Sequence, residues 1–410
     1  MNSAFARSLI VCAGTALIAF SLLSASAATS IEAVHPAVQV AALSSPAPVG
    51  SQLSRLTRDG DGHIYLSWVV VDEGAARLEY ARLIGEQWSE AHVISDGEDW
   101  FINWADFPVL SVGDGSMVAH WLKRSDKGRY DYDIIARFFD ASPDAPGESL
   151  LVNRDGVSAE HGFVSMLPMA DRTLLAWLDG RNTRLDPEPG PMTLRAAVFD
   201  AAGKRLREWQ LDDRVCDCCQ TSVAMTAEGP VVVYRDRSPD EIRDTAIVRW
   251  TGDDWSAPVI VGRDNWQVTG CPVNGPAVVA SGKSVAVAWF SARNDVPRVS
   301  MALSSDGGRS FGPPVSVGGA SAIGRLDAAM LANGDIVISW VDADADTSEA
   351  RIMLSRLDAH GALVDTVSVA PTNSSRRSGF PSIESVGNEV TVSWTDVVAK
   401  RVRLARVSYR

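Results

Sequence analysis

The chain has 410 residues, 46% hydrophobic and 22% charged, the balance of an ordinary folded protein, which excludes a disordered chain, a collagen and a polytopic membrane protein. Acidic residues outnumber Lys plus Arg by 51 to 38, for a formal charge of -13. No basic block interrupts that excess, so nothing would displace counterions from phosphates and a nucleic-acid partner is excluded.

From the N-terminus, Arg7, the uncharged run Leu9 to Leu23 and Ala25-Ser26-Ala27 form the positive, apolar and small-residue parts of a secretory signal peptide, residues 1–27. Its removal leaves no membrane span and predicts a periplasmic or secreted protein. Of the five cysteines, Cys12 goes with it, leaving four in an oxidising setting. Residues 28–50 follow as an N-terminal segment. It contains one alternating apolar strand, Ala37 to Leu43.

Residues 51–410 are then a repeat array. Short apolar strands end in an aromatic residue at Trp68, Trp121, Trp177, Tyr234, Trp289, Trp340 and Trp394, at intervals of 51 to 57 residues. Each unit reads as four strands. A first strand, such as Phe107 to Val112 or Phe163 to Met169, precedes the strand ending in Trp. A third alternating strand (Asp133 to Phe139, Met192 to Phe199) and a short fourth (Ser149 to Val152, Val364 to Val369) follow. No sustained 3.6-residue period occurs, so the class is all-β with very little helix. Four antiparallel strands repeated in this way predict a β-propeller of seven blades, with six as the alternative. The last unit holds three strands and ends at Arg410. Ala37 to Leu43 is expected to supply its fourth strand and close the ring.

In the fifth unit, Ser304-Ser305-Asp306-Gly307-Gly308-Arg309-Ser310-Phe311 resembles the Asp-box (BNR repeat) of sialidase-like propellers, with Ser304, Asp306, Gly308 and Phe311 as its marker positions. In that family the box joins the third and fourth strands of a blade and is structural. The resemblance also implies a candidate activity, exo-α-sialidase-type glycoside hydrolysis through a tyrosine nucleophile and an arginine triad. This chain lacks the family's Phe/Tyr-Arg-Ile-Pro motif, so sialidase turnover is not expected. A second resemblance is to exported sialidase-like proteins with a cysteine signature. It is carried by Val215-Cys216-Asp217-Cys218-Cys219-Gln220-Thr221, Tyr234-Arg235-Asp236-Arg237-Ser238 and Gly270-Cys271-Pro272-Val273-Asn274-Gly275-Pro276. It implies no established function.

Propeller topology places Cys216, Cys218 and Cys219 at the start of blade four and Cys271 at the start of blade five, all at the central mouth. Loops after the second strands bring Arg181, Arg235, Arg237 and Arg293 to the same face. Three functions follow. One is binding of an anionic ligand, a glycan or an exported protein partner, by these arginines. The second is sialidase-type hydrolysis, with Asp106 and Asp327 as the carboxylates available for acid/base work. The third is soft-metal or redox chemistry at the cysteines, with copper or zinc as the metal and His161 as a further ligand. For the sulfurs themselves, one disulfide from Cys271 to the Cys216–Cys219 segment and a labile second pair are expected.

Overall fold

The computed structural model describes residues 38–113, 115–140 and 147–410. The signal segment and the first residue of the predicted N-terminal strand lie outside these residues. Seven antiparallel sheets are formed. Blade 1 comprises Ser51–Arg58, Ile64–Asp72, Ala75–Ile84 and His92–Gly97, with a two-residue strand, Gln87–Trp88, at its edge. Blade 2 comprises Val109–Val112, Ser116–Arg124, Tyr132–Asp140 and Ser149–Leu151. Blade 3 comprises His161–Met169, Arg172–Asp179, Thr193–Asp200 and Arg205–Asp212. Blade 4 holds Ser222–Thr226, Gly229–Arg235, Thr245–Arg249 and Val259–Gly262, and blade 5 holds Ala277–Ser281, Ser284–Ser291, Arg298–Ser304 and Val315–Gly318. Blade 6 is Ala322–Met330, Ile336–Ala343, Glu349–Leu357 and Leu363–Asn373. The last sheet takes Ser382–Val386, Glu389–Asp396 and Arg401–Tyr409 from the C-terminus, and Val38–Leu43 lies outside them, Val38 opposite Tyr409 and Leu43 opposite Leu404. The fold is the all-β seven-bladed propeller that the aromatic spacing predicts, and the six-bladed alternative falls. Helix among the described residues is confined to three short 3-10 turns at Arg181–Arg184, Arg293–Asp295 and Arg376–Ser378.

The repeated aromatic explains how the blades pack. Trp68, Trp177, Tyr234 and Trp289 are wholly buried near the ends of second strands. A buried indole N–H calls for an acceptor, and in four of the repeats it finds a carboxylate. Trp68 Nε1 donates to Glu79 at 2.8 Å, Trp177 to Asp179 at 2.8 Å, Trp289 to Asp264 at 2.5 Å and Trp340 to Asp342 at 2.8 Å. Tyr234 makes the same contact with its hydroxyl, to Asp212 at 2.5 Å. It therefore serves the core as the tryptophans do. The rings also dictate glycine at the close of the preceding blade: a Cβ on Gly262 would stand 2.2 Å from the Trp289 ring, and one on Gly318 2.9 Å from the Trp340 ring.

The inner strands carry a second regularity. In blades 1, 3 and 6 the register shifts where Leu53, Phe163 and Arg325 take positive φ of 54°, 54° and 61°. Such conformations cost about 1–3 kcal/mol and persist only when neighbours hold them. The holding group is a side-chain oxygen from another blade: Thr395 Oγ1 accepts the Leu53 N–H at 3.2 Å, Asp106 Oδ1 the Phe163 N–H at 2.7 Å, and Asn274 Oδ1 the Arg325 N–H at 2.7 Å. Asp106 and Asn274 each precede the inner strand of their blade by three residues. They occupy matching positions in the array. Between the inner strands lies a central cavity of about 250 Å3 whose walls include Arg55, Asp106, Gln220 and Asp327.

Candidate functional site

Three loops meet where blades 4 and 5 begin. The loop leading into blade 4 carries Cys216, Cys218 and Cys219; the loop after its second strand carries Arg237, Glu241 and Arg243; the loop leading into blade 5 carries Cys271. Backbone hydrogen bonds knit them without regular structure, as buried main-chain groups require. Cys216 N–H donates to Arg235 O at 3.0 Å, Arg243 N–H to Trp266 O at 2.9 Å and Val268 N–H to Glu241 O at 3.0 Å. Gln220 ties the set to blade 2, donating to Ala105 O at 2.7 Å and accepting the Gly275 N–H at 2.9 Å.

This frame brings the sulfurs together. Cys216 Sγ lies 2.7 Å from Cys219 Sγ and 4.0 Å from Cys218 Sγ. These three are buried, whereas Cys271 is exposed. All four carry free thiols. Burial opposes ionisation of Cys216, but thiol hydrogen bonds from Cys218 and Cys219, the Cys218 N–H and the charge of Arg235 outweigh it and hold this thiol well below its ordinary range. Arg243 adds a direct contact, NH1 to Cys216 Sγ at 3.3 Å. Hydrogen bonding to the other sulfurs pushes Cys218 far upward, and burial with the Cys216 contact pushes Cys219 upward. Cys271 is lowered, first by a hydrogen bond from Cys218, against burial. Exposure thus falls from Cys271 to Cys218 to the buried pair of Cys216 and Cys219.

Four thiolates around one zinc ion, with bonds of about 2.3 Å, would stand about 3.8 Å apart. The Cys216–Cys218 separation fits that spacing, and the Cys216–Cys219 separation of 2.7 Å does not. It is also shorter than the ~3.5–4 Å of ordinary non-bonded contact. The arrangement is that of a close Cys216–Cys219 dithiol with Cys218 beside it.

The arginines are used differently from the expected anion sector. Arg235 is buried and spends its guanidinium on main-chain carbonyls: Asn274 O at 3.0 and 2.8 Å, Arg243 O at 2.7 Å and Phe290 O at 2.7 Å. It is a staple between blades 4 and 5. Arg237 pairs with Asp217 at 2.8 Å and Glu241 at 2.7 Å, and Arg181 with Asp179 at 2.7 Å and Asp155 at 3.1 Å. Arg293 is exposed, in a separate hollow with Arg263 and Arg298. The physical reason is that a guanidinium leaving water needs five acceptors, and the nearest loop backbone and carboxylates supply them.

His161 also has another place. Its Nε2 lies 2.9 Å from Asp155 Oδ2 and 3.7 Å from Asp179 Oδ1, and its Nδ1 donates to Tyr132 O at 3.2 Å. Both ring nitrogens are engaged in a carboxylate cluster, away from sulfur. Burial opposes its charge, yet these carboxylates raise its pKa above the usual value.

The acid/base candidates divide. Asp327 accepts from Arg55 at 3.2 Å and from the Ile383 N–H at 3.0 Å, joining blades 6, 7 and 1. Asp106 shares Tyr132 with Glu160: the phenol oxygen stands 2.8 Å from Asp106 Oδ2 and 3.0 Å from Glu160 Oε1. A phenol has one proton and can donate to only one of them. The other carboxyl must therefore hold a proton of its own. Burial pushes Asp106 to about 7 and Glu160 to about 8, with the charges of Asp106, Asp217 and Cys271 adding to the rise in Glu160. Tyr132 and Glu160 were not singled out by sequence as site residues. The one available signal for the sulfur pairing was the C-x-x-C spacing of Cys216 and Cys219.

At the turn between the third and fourth strands of blade 5, Asp306 Oδ1 accepts the Arg309 and Ser310 N–H groups, each at 3.0 Å, and Gly308 N–H donates to Ser304 Oγ at 2.8 Å. Gly308 has φ 82°, and Phe311 packs on the blade 4/5 core. These contacts hold a hairpin and leave the carboxylate no part in the thiol cluster.

No protein-family model and no curated protein sequence matches the chain. Solved structures are similar to it at low identity. A polysaccharide lyase, Uly1, superposes with a TM-score of 0.50 at 9% identity, over 85% of this chain and 88% of the lyase. The endosialidase of phage phi92 gives 0.49 at 9%, over 91% and 69% of the two chains, and the Hadza microbial sialidase Hz136 gives 0.46 at 14%, over 84% and 76%. At 9% identity the likeness to Uly1 is one of fold alone.

Proposed function

We propose that this protein is an exported propeller that carries out thiol–disulfide exchange, with Cys216 and Cys219 as its redox pair. The observation that carries this reading is the Cys216 sulfur, 2.7 Å from Cys219 and 3.3 Å from the Arg243 guanidinium. A thiolate is the attacking species in exchange, and a cationic neighbour keeps it available near neutral pH. The propeller supplies a rigid frame in which three loops from two blades fix the sulfurs.

The test is a redox titration of the purified full chain in thiol/disulfide buffers, read by peptide mapping under non-reducing conditions, with metal analysis of the same samples. Reversible two-electron cycling of Cys216 with Cys219 supports the reading. Four free thiols with stoichiometric copper or zinc would replace it with a soft-metal centre. Sialidase-type hydrolysis finds little support, because the buried tyrosines that touch carboxylates, Tyr65, Tyr132 and Tyr234, all have phenols pushed above their ordinary value, chiefly by burial. Anion binding keeps one supporting observation, the exposed hollow of Arg263, Arg293 and Arg298. Binding of a carboxylated glycan there should weaken with added salt.

A further inference from the structure

The redox reading leaves open how a pair buried at 0% and 1% exposure meets a substrate. An external disulfide cannot reach Cys216 or Cys219 past the three packed loops. Cys271 is exposed and belongs to a different loop, which is tied to the end of the Cys216–Cys219 loop where Gly275 N–H donates to Gln220 Oε1 at 2.9 Å. Cys218 in turn lies 4.0 Å from Cys216. From these placements we infer that the four cysteines form a two-step relay, in which Cys271 and Cys218 take a disulfide from an external substrate and pass it to Cys216 and Cys219. The inference rests on the thiol–disulfide reading and adds to it a direction and a point of contact.

The chemistry balances without any further reagent. The Cys271 thiol gives up its proton and, as thiolate, attacks a sulfur of the substrate disulfide, expelling one substrate thiolate that takes up that proton. Cys218 attacks Cys271, forming the Cys218–Cys271 disulfide and expelling the second, and the two protons of the Cys218/Cys271 dithiol end on the two released thiols. Cys216 thiolate then attacks Cys218, freeing Cys271 as a thiolate. Cys219 attacks Cys216, closing the inner disulfide and releasing Cys218, which receives the proton that Cys219 carried. One pair is oxidised and the other reduced, while the negative charge moves from Cys216 to Cys271. Geometry favours this order. Cys216 lies 4.0 Å from the Cys218 sulfur it must reach and 2.7 Å from Cys219, and Arg243 and Arg235 hold the inner thiolate before transfer.

Two substrates share this chemistry, a small disulfide and a disulfide in a protein. The experiment oxidises the fully reduced full-length protein with oxidised glutathione or with a short peptide closed by one disulfide, and follows the Cys216–Cys219 disulfide by quenched peptide mapping. In the Cys271→Ser variant the rate of its appearance should fall at least about tenfold with either probe, since the accessible thiolate is gone. Cys218→Ser should instead accumulate a mixed disulfide between Cys271 and the probe. Because Cys271 is exposed, its serine variant should keep the wild-type melting curve, separating loss of relay from loss of fold. Oxidation by glutathione alone supports the relay with a small substrate; oxidation by both probes supports one that includes proteins. If Cys271→Ser oxidises at the wild-type rate, the relay is wrong while the redox reading stands. If the wild type forms no inner disulfide with either probe, the redox reading itself falls.

Discussion

Replacing Arg243 by Met tests whether the buried guanidinium creates the reactive thiolate. The substitution keeps an unbranched apolar side chain in a site only 2% exposed but removes the charge. Arg243 is bound through NH1 to Cys216 at 3.3 Å and through NH2 to Glu241 at 2.8 Å. Glu241 retains Arg237 at 2.7 Å, and Arg235 still bonds the main-chain oxygen of residue 243, so the loop frame survives. The Glu241 contact is lost as well, but what Cys216 loses is one hydrogen bond from a cation to its buried thiolate, worth about 1.5–3 kcal/mol. At about 1.4 kcal/mol per tenfold change in proton affinity, the Cys216 proton affinity should rise roughly ten- to hundredfold. The assay is a pH titration of thiolate ultraviolet absorbance in reduced wild type and Arg243→Met, each corrected with its Cys216→Ser counterpart. The midpoint should move upward, and the rate of inner disulfide formation at neutral pH should fall with it. A midpoint unchanged within about threefold in proton affinity would refute the assignment and leave Arg243 as packing.

Gly262→Ala should destabilise the fold by about 1–3 kcal/mol, the usual cost of overpacking, because the new methyl meets the Trp289 ring at 2.2 Å; equilibrium denaturation measures it, and a neutral result would mean that blades 4 and 5 part easily. Stability should also fall as pH rises from about 5 to about 8.5. Asp106 and Glu160 have folded pKa values raised to about 7 and about 8 from 3.8 and 4.5, chiefly by burial, so the folded state binds the extra protons. Their contribution is complete below the unfolded values and is lost as pH climbs through the folded ones. His161, raised above 6.5, acts in the same direction. The double variant Asp106→Asn, Glu160→Gln should recover at least about 2 kcal/mol of that decline, measured by melting across pH; an equally steep profile would show that the protons reside elsewhere.

The aromatic spacing was a strong signal because blade architecture repeats the same local demands. Each second strand must be apolar, extended and closed by a ring that wedges the next sheet, so Trp68 to Trp394 could be read as a count of blades. Strand ends were read to within a few residues. The cysteine loops were also legible as neighbours, since topology alone puts the starts of blades 4 and 5 side by side. What each charged residue does was not legible. Arg235, Arg237 and Arg243 look alike in one loop, yet the first binds carbonyls, the second carboxylates and the third a sulfur. Asp106 and Asn274 perform one backbone task at matching positions, and only Tyr132 and Glu160, from other strands and loops, turn the former into part of a proton-sharing group. Periodic patterning is a property of consecutive residues and is written in their order. Hydrogen bonding, burial and the approach of Arg243 to Cys216 depend on a few ångströms between segments that only the closed ring brings together.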